Sequence, residues 1–101
     1  MQPIEMTEVH EGRRYDTRRA TLIASDAFWD GHNWERRGRN RFLYRTPRGR
    51  YFVQHRTQWQ GERDRLEPVS QSQALALWEN ELPEHEVEFE EAFPGVQVEE
   101  A

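Results

Sequence analysis

Asp26, Asp30 and His32 put two carboxylates and an imidazole within seven positions, the donor set of an oxygen- and nitrogen-ligated cation. Their spacing matches no metal-binding motif, and Asp30-Gly31 is ordinary turn chemistry beside Phe28 and Trp29, which read as core. His85 stands next to Glu86 and Glu88, where an acid–base pair could form, yet a solvated acidic helix face accounts for all three. Ser25, Ser70 and Ser72 lack a nucleophile elbow, and no phosphate loop or dinucleotide fingerprint occurs. Without cysteine there are no disulfides, no thiolate catalysis and few routes to structural zinc. The sequence reads as a non-enzyme with no metal and no cofactor.

Binding chemistry is better represented. Between Arg36 and Gly61 there are eight arginines and no acid. Guanidinium groups fork onto phosphate or carboxylate, and neighbouring rings supply stacking surfaces. The candidate contacts are Arg41, Arg45, Arg48, Arg50 and Arg56 for anions, with Tyr51 and Trp59 for packing or stacking. A solvated β-face, its arginine stems lying over aromatic rings, would give the same composition. The second candidate surface is acidic: Glu84, Glu86, Glu88, Glu90 and Glu91 could meet a basic partner, and together with Glu79 and Glu81 they could imitate a row of phosphates. Acidic helices are also common for solubility alone.

The elements that must position these groups belong to one small domain. The chain has 101 residues, 35% hydrophobic and 33% charged, and a chain of this size buries only about 60–65% of its unfolded surface. Its four Trp, three Tyr and five Phe must therefore supply much of the core. No apolar run exceeds five residues, so the expectation is a cytoplasmic protein with no membrane span or secretory segment. The net charge of −5 hides a split: residues 1–65 hold all 14 arginines and nine acids, whereas residues 66–101 hold ten acids and no arginine. Such asymmetry points to a partner or an internal counter-charge.

Residues 1–12, with few apolar positions, read as a loosely ordered arm or a short edge strand. Asp16 and Thr17 carry a capping signal before a helical turn, and Thr21–Ser25 is β-branched enough for a strand. A turn-rich stretch from Asp30 to Asn40, anchored by Trp34, separates this strand from a hairpin. Arg41–Thr46 and Arg50–Arg56 flank Pro47-Arg48-Gly49, a loop that pairs Tyr44 with Phe52 and Leu43 with Val53. One hairpin face carries Phe42, Tyr44 and Phe52 with Arg50, Gln54 and Arg56; the other carries Leu43, Tyr51 and Val53 with Arg41, Arg45 and His55. The expectation is that one of them is core and the other an exposed anion-binding surface.

Arg63–Val69 reads as a last strand, with Pro68 placing it at an edge. Ser70 and Gln73 have capping-box spacing, and Ala74, Leu75, Trp78 and Leu82 recur as a helical stripe that should cover the sheet. Pro83 onward is read as a second helix, stopped by Pro94-Gly95, although the alternation from Glu86 to Glu90 competes as a strand. The predicted architecture is α+β: an antiparallel sheet of three to four strands against one or two C-terminal helices, over residues 13–95, with 96–101 an acidic tail.

Four blocks stand in order along the chain: Arg14-Tyr15-Asp16-Thr17 with Ala20; Leu43-Tyr44-Arg45-Thr46, Gly49 and Tyr51-Phe52-Val53; Pro68-Val69-Ser70; and Ala74 with Trp78. In these blocks the chain is similar to a family of small bacterial and phage-borne proteins. The chain resembles that family over roughly residues 14–93. The resemblance implies a compact α+β domain from the setting of phages and mobile elements, and it brings no catalytic residues. The chain departs from it around the hairpin: acids precede the hairpin in the family, where this chain has Arg37, Gly38, Arg39 and Arg41. Gly-rich sequence follows in the family, where this chain has Arg56 to Gln60. The expected action is binding, most readily to a protein, since a negative chain is poorly suited to duplex nucleic acid. The alternatives are acidic nucleic-acid mimicry and a single-strand-binding role; oligomeric state is open.

Overall fold

A computed structural model describes residues 1–101. In chain order its elements are β1 (Thr7–His10), β2 (Arg13–Asp16), a 3-10 turn (Thr17–Arg19), β3 (Thr21–Ser25), β4 (Arg39–Arg45), β5 (Tyr51–Thr57), β6 (Arg65–Val69), α1 (Gln71–Asn80), β7 (Glu84–His85) and α2 (Phe89–Ala92). Pro47-Arg48-Gly49 sets the central register. Thr46 N–H donates to Arg50 O (2.8 Å), Gly49 N–H donates to Thr46 O (2.9 Å), and Gly49 takes the positive φ of +83° that the turn requires. Tyr44 therefore pairs with Phe52 and Leu43 with Val53, as the spacing predicts. The antiparallel sheet runs β6-β5-β4-β3-β7, with Pro68 on an edge strand, where its missing N–H costs no ladder bond. The α+β class is as expected, and the five-stranded sheet is wider than the three to four strands read from the sequence.

The expectation that only one hairpin face is core is corrected. Leu43, Tyr51 and Val53 join Ile23, Ala24, Ala74, Trp78, Leu82, Ala92 and Phe93 on the side covered by α1 and the C-terminal segment. Phe42, Tyr44 and Phe52 join Tyr15 and Leu66 on the other side, with Met6 from the N-terminal segment packed against them. Full burial of one such side chain stabilises by about 1.5–3 kcal/mol, so covering both faces roughly doubles what the central strands contribute. The signal was present: Phe42-Leu43-Tyr44 and Tyr51-Phe52-Val53 are unbroken apolar triplets, the pattern of strands buried on both sides. A bulge in β3 between Leu22 and Ala24 lets Ile23 and Ala24 share the α1 side opposite Leu43.

The second cover comes from the first dozen residues, of which Thr7–His10 form the short strand that is one of the two readings of this segment. β1 pairs with β2 antiparallel, and polar side chains tie the segment down. The fully buried Gln54 accepts from Ile4 N–H (3.2 Å) and donates to Ile4 O (2.7 Å), so its amide acts like a neighbouring strand. Thr17 Oγ1 accepts from Met6 N–H at 2.9 Å.

The sequence also placed a helix at the wrong point near the C-terminus. α1 starts as expected, with both halves of the Ser70–Gln73 capping box formed, but no helix begins at Pro83. Glu84 and His85 instead pair with Ser25 and Ala24, because β3 would otherwise leave a free edge there. Only Phe89–Ala92 is helical, which seats Phe93 on Tyr51 with ring centroids 5.2 Å apart. Trp29 and Trp34, read as core and loop anchor, are 54% and 53% exposed.

Candidate functional site

Because side chains alternate along a strand, the two-sided core disperses the arginines of the hairpin. Arg41 lies half-buried beside α1, with Nε 3.4 Å from Asp26 Oδ2 and Nη1 3.2 Å from Glu81 Oε1. Arg56 binds Asp64 Oδ2 at 3.1 Å and also donates to Gln2 O on the opposite face. Arg45 is half-buried and its Nε is buried without a partner. Tyr51, expected at the contact surface, is a core residue, 3% exposed, whose hydroxyl donates to Ala92 O at 2.7 Å. Only Arg48 and Arg50 of the five hairpin arginines remain exposed without a carboxylate partner.

These two meet residues that the sequence reading left out. At the turn end of the hairpin, Arg48 and Arg50 line a groove of about 470 Å³ together with Arg13, Arg14 and Arg19, with Tyr15, Ala20 and Pro47 between them. Asp16 caps the 3-10 turn by accepting from Arg18 N–H at 2.9 Å, and this brings Arg19 round to the groove that Arg13 and Arg14 enter from β2. Asp16 is the groove's one acid, and Arg18 and Arg19 already hold it, at 3.3 and 3.8 Å. The Arg18 backbone N–H, and then its guanidinium, keep the Asp16 carboxyl below the usual carboxylate range. Seven of the 14 arginines hold a carboxylate: Arg18, Arg19, Arg36, Arg39, Arg41, Arg56 and Arg65. Of the other seven, Arg13, Arg14, Arg48 and Arg50 converge here. The doublets Arg13-Arg14 and Arg18-Arg19 were visible in the sequence, but nothing local says that β2 and the hairpin turn are neighbours.

A wider cleft of about 1200 Å³ lies between the far end of the hairpin and the end of α1, and it contains Arg36, Arg39, Arg41, Arg56, Arg63 and Arg65. Its cations are mostly neutralised: Arg39 binds Glu62 at 2.5 Å, Arg41 binds Asp26 and Glu81, and Arg56 binds Asp64. His55 contacts Glu67 at 2.8 Å, and His85 stacks on Trp78 with centroids 3.6 Å apart. Asp26, considered above as a cation ligand, is buried and accepts from Arg41 N–H (2.9 Å) and Asn40 Nδ2 (3.0 Å), while Asp30 accepts from the backbone N–H groups of His32 and Asn33. Both carboxylates are occupied in holding the chain.

The acidic candidates are spread over three local structures: Glu84 on the edge strand, Glu86 with its N–H on Ile23 O, and Glu88, Glu90 and Glu91 at the single-turn α2. All five are exposed and none holds an ion pair, but they do not share one helix face. Trp59 is half-exposed at the other end of the hairpin. No helix is long and apolar enough to cross a membrane. The chain matches no protein-family model, and comparison with curated proteins and with solved structures brings no match.

Proposed function

We propose that this protein is a non-catalytic binding module that holds an acidic segment of a partner protein in the groove between β2 and the β4–β5 turn. The observation that carries this reading is the convergence of Arg13, Arg14, Arg48 and Arg50, none with a carboxylate partner, around an acid that is already neutralised. Four like charges held together repel one another, and an incoming carboxylate relieves that repulsion while accepting forked hydrogen bonds. A protein segment suits the groove better than a nucleic acid does. Tyr15, the groove's only ring, is 7% exposed and packs edge-on against Phe52, leaving no open face for a base. The whole-chain charge of −5 further disfavours a nucleic-acid duplex in this groove. The mobile-element setting implied by the four sequence blocks fits a small regulatory partner of this kind.

Fluorescence anisotropy with a labelled glutamate-rich octapeptide tests the proposal. The peptide should bind wild type with an affinity that falls as salt rises, and Arg14→Glu with Arg50→Glu should abolish binding while leaving the circular dichroism unchanged. Equal peptide binding by both forms, or duplex DNA binding more tightly than the peptide at the same salt, would overturn it.

A further inference from the structure

The opposite end of the β4–β5 hairpin, roughly 23 Å away at about 3.3 Å per residue over seven residues, carries three of the four tryptophans. Trp29 and Trp34 come from the loop between β3 and β4, Trp59 from the loop between β5 and β6, and each is at least half exposed. These rings are fixed. Trp59 Nε1 donates to Arg37 O at 2.7 Å and its indole lies against Gly38, where an added Cβ would fall 2.5 Å from Nε1. Gly38 takes φ +78° and Arg37, unusually for its residue type, φ +58°, in the tight turn joining Arg36 to Arg39. A glycine thus backs the indole, and Trp59 stays 50% exposed.

The second loop is equally constrained. Arg36 lies 4.0 Å over the Phe28 ring and donates to Phe28 O (2.8 Å) and Asn33 O (3.1 Å), Asp30 closes the Asp30–Asn33 turn, and Asn40 Nδ2 donates to Trp34 O (3.1 Å). Trp29 and Trp34 pack together with centroids 5.8 Å apart and planes tilted by 49°.

Charge decides what such rings accept. Every acid in these two loops has an internal partner: Asp26 with Arg41, Asp30 with Arg36, Glu35 with the Met1 amino group, Glu62 with Arg39 and Asp64 with Arg56. Arg37 and Arg63 are exposed and hold none. Exposed rings in loops that also carry unpaired guanidinium groups suit a flat, uncharged ring attached to an anion.

We infer that this end of the molecule is a platform for unpaired bases of single-stranded nucleic acid, with Trp59 as the principal stacking surface and Arg37 and Arg63 meeting the phosphates. The site is separate from the arginine groove and does not depend on the reading given to it. Single-strand binding of this kind tolerates many sequences, because every base has a π-face.

The test uses protein carrying Arg14→Gln and Arg50→Gln, so that the groove cannot supply phosphate contacts and gains no acids that would repel the strand. A labelled 12-nucleotide single strand and an abasic strand of equal length and charge are titrated by anisotropy. The natural strand should bind at least tenfold more tightly than the abasic one. Trp59→Ala should remove that difference and Trp59→Phe should retain most of it, with thermal denaturation confirming that each variant is folded. Equal affinity for the two strands, undiminished preference in Trp59→Ala, or no binding of the natural strand at low salt would each overturn the inference. The last outcome would leave the tryptophans as a protein contact.

Discussion

The hydroxyl of Tyr51, at the start of β5, donates to the carbonyl oxygen of Ala92 at 2.7 Å, with both residues buried. That one contact joins β5 to the C-terminal segment 41 residues later and places Phe93 flat against the tyrosine ring. A residue whose composition suggests an exposed recognition ring is therefore the clamp that holds the acidic segment on the domain.

Tyr51→Phe should destabilise the protein by about 1–2 kcal/mol, the cost of leaving a buried carbonyl without its donor, with little change in circular dichroism. Ending the chain after Glu81 should do far more. It removes Leu82, Ala92 and Phe93 from the core, and losses of this kind cost about 2–5 kcal/mol for each large side chain, against a total stability of about 5–10 kcal/mol for a domain of this size. Urea denaturation of the two variants checks both expectations, the truncated chain being unfolded without denaturant.

Gln54→Leu tests whether the N-terminal segment is held by the paired amide contacts with Ile4. The substitution keeps approximate volume but removes one donor and one acceptor, so it should cost about 1–3 kcal/mol. Limited proteolysis should then cut within the first dozen residues sooner than in wild type. Unchanged protection would mean that Thr17 and the β1–β2 pairing suffice.

Burial pushes the His55 imidazole below its ordinary pKa of 6.5, against the upward pull of its Glu67 contact. Above 6.5 the group is neutral in folded and unfolded chains, and its contribution to stability is complete. As pH falls through 6.5 toward the folded value the unfolded chain takes up the proton first, and that contribution is lost. Stability measured in urea between pH 7.5 and 5 should decline, with a shallower slope in His55→Gln; identical slopes would assign the decline to other groups. Asp16 behaves separately, at lower pH. Its pKa is depressed below the ordinary 3.8, so its contribution is present above that value and disappears as pH falls through the folded one.

Much of the chain's local structure was written in short-range chemistry. Pro47 and Gly49 fixed the hairpin loop and hence its pairing, Asp16 and Ser70 with Gln73 marked where helical turns begin, and Pro68 allowed an edge strand only. Each works within a few residues, through a preset dihedral or an unsatisfied backbone group, so sequence is enough. What covers each face of the hairpin depends on segments far away in the chain. Gln54 meets Ile4 across 50 residues and Tyr51 meets Ala92 across 41, and both faces became core once those segments arrived. The same long-range pairing turned Glu84 and His85 into a strand, because hydrogen bonds to the open edge of β3 outweighed a weak local preference for helix. It also decided which arginines are free. A guanidinium's availability depends on whether a carboxylate lies within about 4 Å, and only the folded chain brings Asp26 and Glu81 to Arg41 while leaving Arg14 and Arg50 to line one groove without one.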